Sequence, residues 1–154
     1  MSDNEYFSVK FKIQQDVFFT IWTSTEEKDY FLTKNSALLF FCTENSLYDF
    51  CKVCKINIKS ETEFDFSFIV YSDYSDFINK WNIISDLAGT LHLSFLGDSD
   101  EMLLLYKKIL YGCNLPTLNK SGKAYTPEFS INEKKQIDAL IKNMESILRQ
   151  SFSL

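Results

Sequence analysis

A chain of 154 residues, 45% hydrophobic and 24% charged, fits one domain with a single core and excludes intrinsic disorder. No apolar run approaches the roughly 20 residues of a membrane span. The opening "MSDNEYFSVK" lacks the basic and apolar regions of a secretion signal, so the expected compartment is the cytoplasm. The net charge of −5 is uneven: −1 over residues 1–60, −8 over 61–101, where Lys80 is the only base, and +4 over 102–154.

In chain order, "FSVKFKI" (7–13) alternates apolar and polar residues and predicts a half-buried strand. "VFFTIWT" (17–23) is its expected hairpin partner, with 14–16 turning between them. "SALLFFC" (36–42) is a continuous apolar run, expected to be central in a sheet. A helix follows, capped by Thr43 or Asn45, with Leu47, Phe50, Cys51 and Cys54 on one face. "FDFSFIV" (64–70) predicts another strand. The next helix is capped by Asp73 or Ser75 and carries the stripe Phe77, Trp81, Ile84 and Ala88, with Ile78 and Leu87 beside it and Gly89 as its stop. "TLHLSF" (90–95) is either a short strand or a loop under that helix. A third helix is expected from a capping box at Asp98 and Glu101 to Gly112, with Met102, Tyr106, Ile109 and Leu110 inward. The last helix begins at a second capping box, Ser130 and Glu133, and buries Ile137, Leu140, Ile141, Met144 and Leu148. The expected fold is α+β: a single domain over residues 1–154, an antiparallel or mixed β-sheet, and about four helices mainly on one face.

Candidate chemistry is sparse. The CxxC pair Cys51/Cys54 lacks the further ligands that zinc needs and lies late in its helix, away from the N-terminal dipole that activates redox thiols; core packing is the better reading. His92, the only histidine, sits between two leucines, where a structural role is commoner than a catalytic one. No phosphate-binding glycine loop occurs, and the single arginine, Arg149, suits a helix C-terminus. The expectation is therefore no enzyme, with no catalytic residues, no metal and no cofactor. An acidic surface disfavours direct nucleic-acid binding and favours a basic protein partner, although charge of this kind also serves solubility alone.

Two stretches carry a resemblance. One is "WNIISDLA", with Trp81, Asn82, Asp86, Leu87 and Ala88. The other is "YKKILYGCNLPTLNKSGKAYTPEFSINE", with Tyr106, Gly112, Asn114, Leu115, Pro116, Gly122, Tyr125, Pro127, Ser130 and Glu133. Across roughly 76–145 the chain is similar to a family of small bacterial immunity proteins, partners of polymorphic toxins such as those of contact-dependent growth inhibition. Tyr111 fits the family's aromatic before the glycine. Asn119-Lys120 departs from its common Thr-Pro, so the turn chemistry there differs. The resemblance implies an antitoxin that binds a cognate toxin domain, commonly a nuclease, in the cytoplasm, with no membrane partner.

The acidic middle and the family-like half together assign partner binding to the acidic helix starts: Asp73, Tyr74, Asp76, Asp98, Asp100 and Glu101. The alternatives are a small hydrolase built around His92 and a generic acidic protein-binding subunit. The irregular segment 113–129, which holds both prolines and Gly122, is expected to be a rigid, packed connector.

Overall fold

The computed structural model describes residues 4–154; of the single-domain expectation, residues 1–3 lie outside it. β1 (Glu5–Ile13) and β2 (Asp16–Ser24) pair antiparallel, with Phe7 opposite Trp22 and Phe11 opposite Phe18. The hairpin turns through Gln14 at φ 57°. Alternation sends Val9, Phe11 and Phe18 to one face of the sheet and Ile21 to the other. β3 (Asp29–Phe31) pairs antiparallel with the end of β2, and β4 (Thr33–Lys34) makes a small separate ladder with β5 (Ala37–Leu38).

The apolar run 36–42 does not form a central strand. It breaks into β5 and β6 (Phe40–Phe41), and β6 is a short partner of β2 at Phe19 and Thr20. Its residues are shared between two cores. Leu38 and Phe40 pack with Phe18 and Phe152, whereas Phe41 packs with Phe50. A run buried on both sides of a sheet has the composition of a central strand without its length.

α1 (Glu44–Cys54) is capped by Thr43, whose hydroxyl accepts from the Ser46 N–H. Leu47 and Cys51 are buried and Phe50 is half-buried. Cys54, expected on the same buried face, is exposed, because the chain turns left-handed at Lys55 directly after it. β7 (Ile58–Asp65) then runs parallel to β1. The strand expected at 64–70 therefore lies about six residues earlier. The Asp65 carboxylate accepts the Ser67 N–H and bends the chain out of the sheet, leaving Phe66 in the core and Phe68 exposed. The main sheet is mixed, with order β3-β2-β1-β7 and β6 also on β2.

α2 (Tyr74–Leu91), capped by Asp73, buries Phe77, Ile78, Trp81, Ile84, Leu87 and Ala88 as the stripe predicts. It does not stop at Gly89 but continues to Leu91, and His92 takes the left-handed position after it. Residues 93–95 are a loop. The capping box expected at Asp98 and Glu101 is absent. Two 3₁₀ turns, Leu96–Asp98 and Asp100–Met102, stand there instead, and α3 spans Leu103–Gly112. The Trp81 indole donates to the Gly97 carbonyl at 3.2 Å and the Asp98 carboxylate accepts from the Ser85 hydroxyl at 2.6 Å, contacts that hold this segment against α2. A Cβ on Gly97 would lie 2.6 Å from both the Phe95 ring and Trp81 Nε1, so only glycine fits.

α4 (Ile131–Phe152) begins with the full Ser130/Glu133 capping box and buries Ile137, Leu140, Met144 and Leu148; Ile141 is half-buried. α2, α3 and α4 cover one face of the sheet around the main core. α1 covers the other face over a small second core of Ile21, Leu47 and Cys51. The fold is thus α+β, a mixed sheet with four helices, three of them on one face.

Candidate functional site

The six acidic-start residues fall into two groups. Asp73, Tyr74 and Asp76 form the first turn of α2. Asp73 accepts the Asp76 N–H as the cap. Asp76 reaches Lys80 Nζ at 2.6 Å. Lys80 is itself buried, 4% exposed, and also donates to the Phe68 carbonyl while lying over the Phe66 ring. A buried ammonium needs a counter-ion, and Asp76 supplies it while its own carboxylate stays 46% exposed. Tyr74 is half-buried against Phe129 and Gly112.

Asp98, Asp100 and Glu101 lie elsewhere, in the two 3₁₀ turns beside Ser85. Ser85 is nine residues beyond Asp76, about 13 Å along the α2 axis and half a turn around it. The six residues thus form two groups that stand apart along α2.

Two carboxylates that sequence reasoning missed complete the second group. The Trp22 indole donates to Asp86 Oδ2 at 3.0 Å. Burial pushes the Asp86 carboxyl up to about 6. The Trp22 hydrogen bond opposes that rise, while the neighbouring charges of Asp29 and Asp98 add to it. Asp29, at the start of β3, accepts the Ser24 hydroxyl at 2.8 Å. Thr90 locks β3 onto α2: its hydroxyl accepts the Phe31 N–H at 3.0 Å and donates to the Asp86 carbonyl at 2.8 Å. A groove of about 710 Å³ opens alongside, lined by Glu26, Glu27, Lys28, Tyr30, Thr90 and the exposed His92, among others. Asp86 was visible in the sequence as a motif position. Nothing in the spacing links it to Trp22, 64 residues earlier.

The arrangement offers a negatively charged shelf, Asp29–Asp86–Asp98 with Asp100 and Glu101 following, suited to cationic groups. Among the described residues no group of three or more His, Cys, Asp or Glu side chains is placed to hold a metal ion, and no helix is long and apolar enough to cross a membrane.

The residues that carry the resemblance divide: Trp81, Tyr106, Gly112 and Pro127 pack, whereas Leu115, Pro116, Gly122 and Tyr125 are exposed. The segment expected to be a packed connector is thus held mainly by hydrogen bonds and by Pro127. Trp81 packs edge-on against Tyr106, whose hydroxyl donates to Asn82. Asn114, in a left-handed conformation, ties the connector together. Its amide donates to the Gly112 and Tyr125 carbonyls, and its oxygen accepts from Asn119 and from the Tyr125 N–H. Pro127 is buried against Gly112, where a Cβ would meet its ring at 3.0 Å. Lys108 bridges α3 to the Glu133 carboxylate at 3.0 Å.

No family model matches the sequence, and no curated protein matches it. Among solved structures the chain is similar to the C-terminal domain of SatS, described in a crystal structure in complex with bromine. The TM-score is 0.50 at 12% identity, over 96% of this chain and 91% of that one. A likeness at that identity is one of fold alone.

Proposed function

We propose that this chain is an immunity protein of the contact-dependent growth inhibition type. It binds a cognate toxin domain, a basic nuclease, in the cytoplasm and covers the toxin's substrate-binding surface without chemistry of its own. The observation that carries the reading is the carboxylate shelf around the C-terminal half of α2. Nuclease surfaces are basic because they bind phosphates, and an acidic shelf steers rapid association with them. The motif resemblance over roughly 76–145 supports the same reading.

The test pairs the chain with the C-terminal domain encoded by an adjacent toxin gene. Reversing Asp98, Asp100 and Glu101 to lysine should slow association by about 10- to 100-fold and remove most of its salt dependence. His92→Ala should leave inhibition intact. Unchanged affinity in the triple variant counts against this surface, and absence of any toxin gene beside this one counts against the class.

A further inference from the structure

β7 is the terminal strand of the main sheet, eight residues long. Among the described residues, β1 alone runs beside it, so its outer edge keeps a row of backbone N–H and C=O groups without strand partners. Edges are blunted by charged side chains, a proline, a bulge or a covering helix. β7 carries charges at Lys59, Glu61, Glu63 and Asp65 and a bulge near Tyr6 in its pairing with β1, so strand addition there is selective for a partner that complements those charges. β7 has no proline, and α1, although Tyr48 reaches Glu61 and Ile58 packs beneath it, lies mainly over β2 and β6.

Its side chains are sorted by face. The register with β1 places Glu61, Glu63 and Asp65 opposite Ser8, Lys10 and Lys12, all on the α1 side of the sheet. All three carboxylates are exposed. A concavity of about 340 Å³ opens on that same side, lined by Ser8, Lys10, Phe19, Glu44, Glu61 and Glu63, among others. Tyr48 donates its hydroxyl to Glu61 from α1, and Lys10 stands 3.8 Å from Glu63, so one lysine faces three glutamates there.

We propose that the outer edge of β7 accepts an extended segment of a protein partner as an added strand, and that this segment carries Lys or Arg at alternate positions. Backbone hydrogen bonds along the edge supply the docking. The acidic row and the concavity supply the selection, because alternate side chains of the new strand fall on the side where Glu44, Glu61 and Glu63 converge. A second copy of this chain is disfavoured: joining two β7 edges sets one row of carboxylates against the other. The proposal does not depend on the toxin-inhibitor reading and concerns a different surface from the α2 shelf.

The experiment uses the whole chain and a synthetic peptide alternating Lys and Thr. NMR should show protection of those β7 amides that are not bonded to β1. A peptide of the same composition with its lysines contiguous should bind at least about tenfold more weakly, and an N-methylated version should not protect the edge. Glu61→Lys with Glu63→Lys should weaken the alternating peptide by about tenfold or more while the spectrum stays folded. If that pair unfolds the chain, Glu63→Gln with the same peptide series replaces it. Equal binding of the contiguous-lysine peptide, protection elsewhere than β7, or no binding at millimolar peptide overturns the proposal. So does a concentration-dependent dimer through β7.

Discussion

Lys80 and Asp76 form a 2.6 Å ion pair one helical turn apart on α2, and the lysine is the buried partner, its side chain 5% exposed against 46% for the aspartate. The pair ties the start of α2 to the segment after β7 through the Phe68 carbonyl and the Phe66 ring. Removing the aspartate alone strands a buried charge. Asp76→Ala is expected to cost about 2–4 kcal/mol in urea unfolding, and adding Lys80→Met should recover most of it. Additive losses in the double variant would show that the two groups act separately.

Asp86 predicts a pH signature. Its folded pKa, about 6, lies above the ordinary carboxyl value, so folding favours the protonated form. The stabilisation is full below the unfolded pKa near 4 and is lost as pH rises through about 6. Asp86→Asn keeps an oxygen for the Trp22 indole and removes the charge. Solvent screening at a half-buried carboxyl holds the gain at neutral pH to about 1 kcal/mol, a Tm rise of about 2–4 °C that shrinks toward pH 5. Parallel Tm curves for the two proteins across that window would refute the assignment.

Asn114 holds the connector through four hydrogen bonds from one side chain. Asn114→Gly accommodates the left-handed backbone and deletes only the bonds, and is expected to cost about 1–3 kcal/mol. Hydrogen exchange of the Tyr125 amide should rise with it. Unchanged exchange there would mean the connector is held by Pro127 and Phe129 alone.

The four cysteines should separate by reactivity. Cys42 and Cys54 are exposed, whereas Cys51 is buried and burial pushes its thiol pKa up. Alkylation followed by mass spectrometry should label Cys42 and Cys54 well before Cys51. Equal rates at Cys51 and Cys54 would mean that α1 opens faster than the reagent reacts.

These features differ in how far the sequence disclosed them. α2 and α4 were legible because their apolar stripes and caps are local, complete within four residues of each other. β7 was displaced because it is an edge strand with a polar exterior. Its apolar alternation starts only at Phe64, so pattern reading followed Phe64, Phe66 and Phe68 into the bend beyond it. The helix start at Asp98 failed for a non-local reason: Asp98 turns to Ser85 on α2, and the chain there makes 3₁₀ turns. The acidic shelf was half legible. Asp98, Asp100 and Glu101 cluster in sequence, but Asp29 and Asp86 join them only through the pairing of β3 with β2 and the Thr90 lock. Asp76 looked like a free surface charge, and only the burial of Lys80 reveals the ion pair it makes.

The two cores on either side of the sheet are very unequal, three buried residues under α1 against more than twenty under the other helices. Opening α1 therefore requires little free energy compared with unfolding the whole, and its amides should exchange through a separate, earlier event. Local opening is expected on the α1 side first. In that excursion Ile21 and the α1-facing side of β1 and β2 meet solvent while the three-helix side stays closed, so a partner that grips α1 would draw its affinity partly from suppressing that motion.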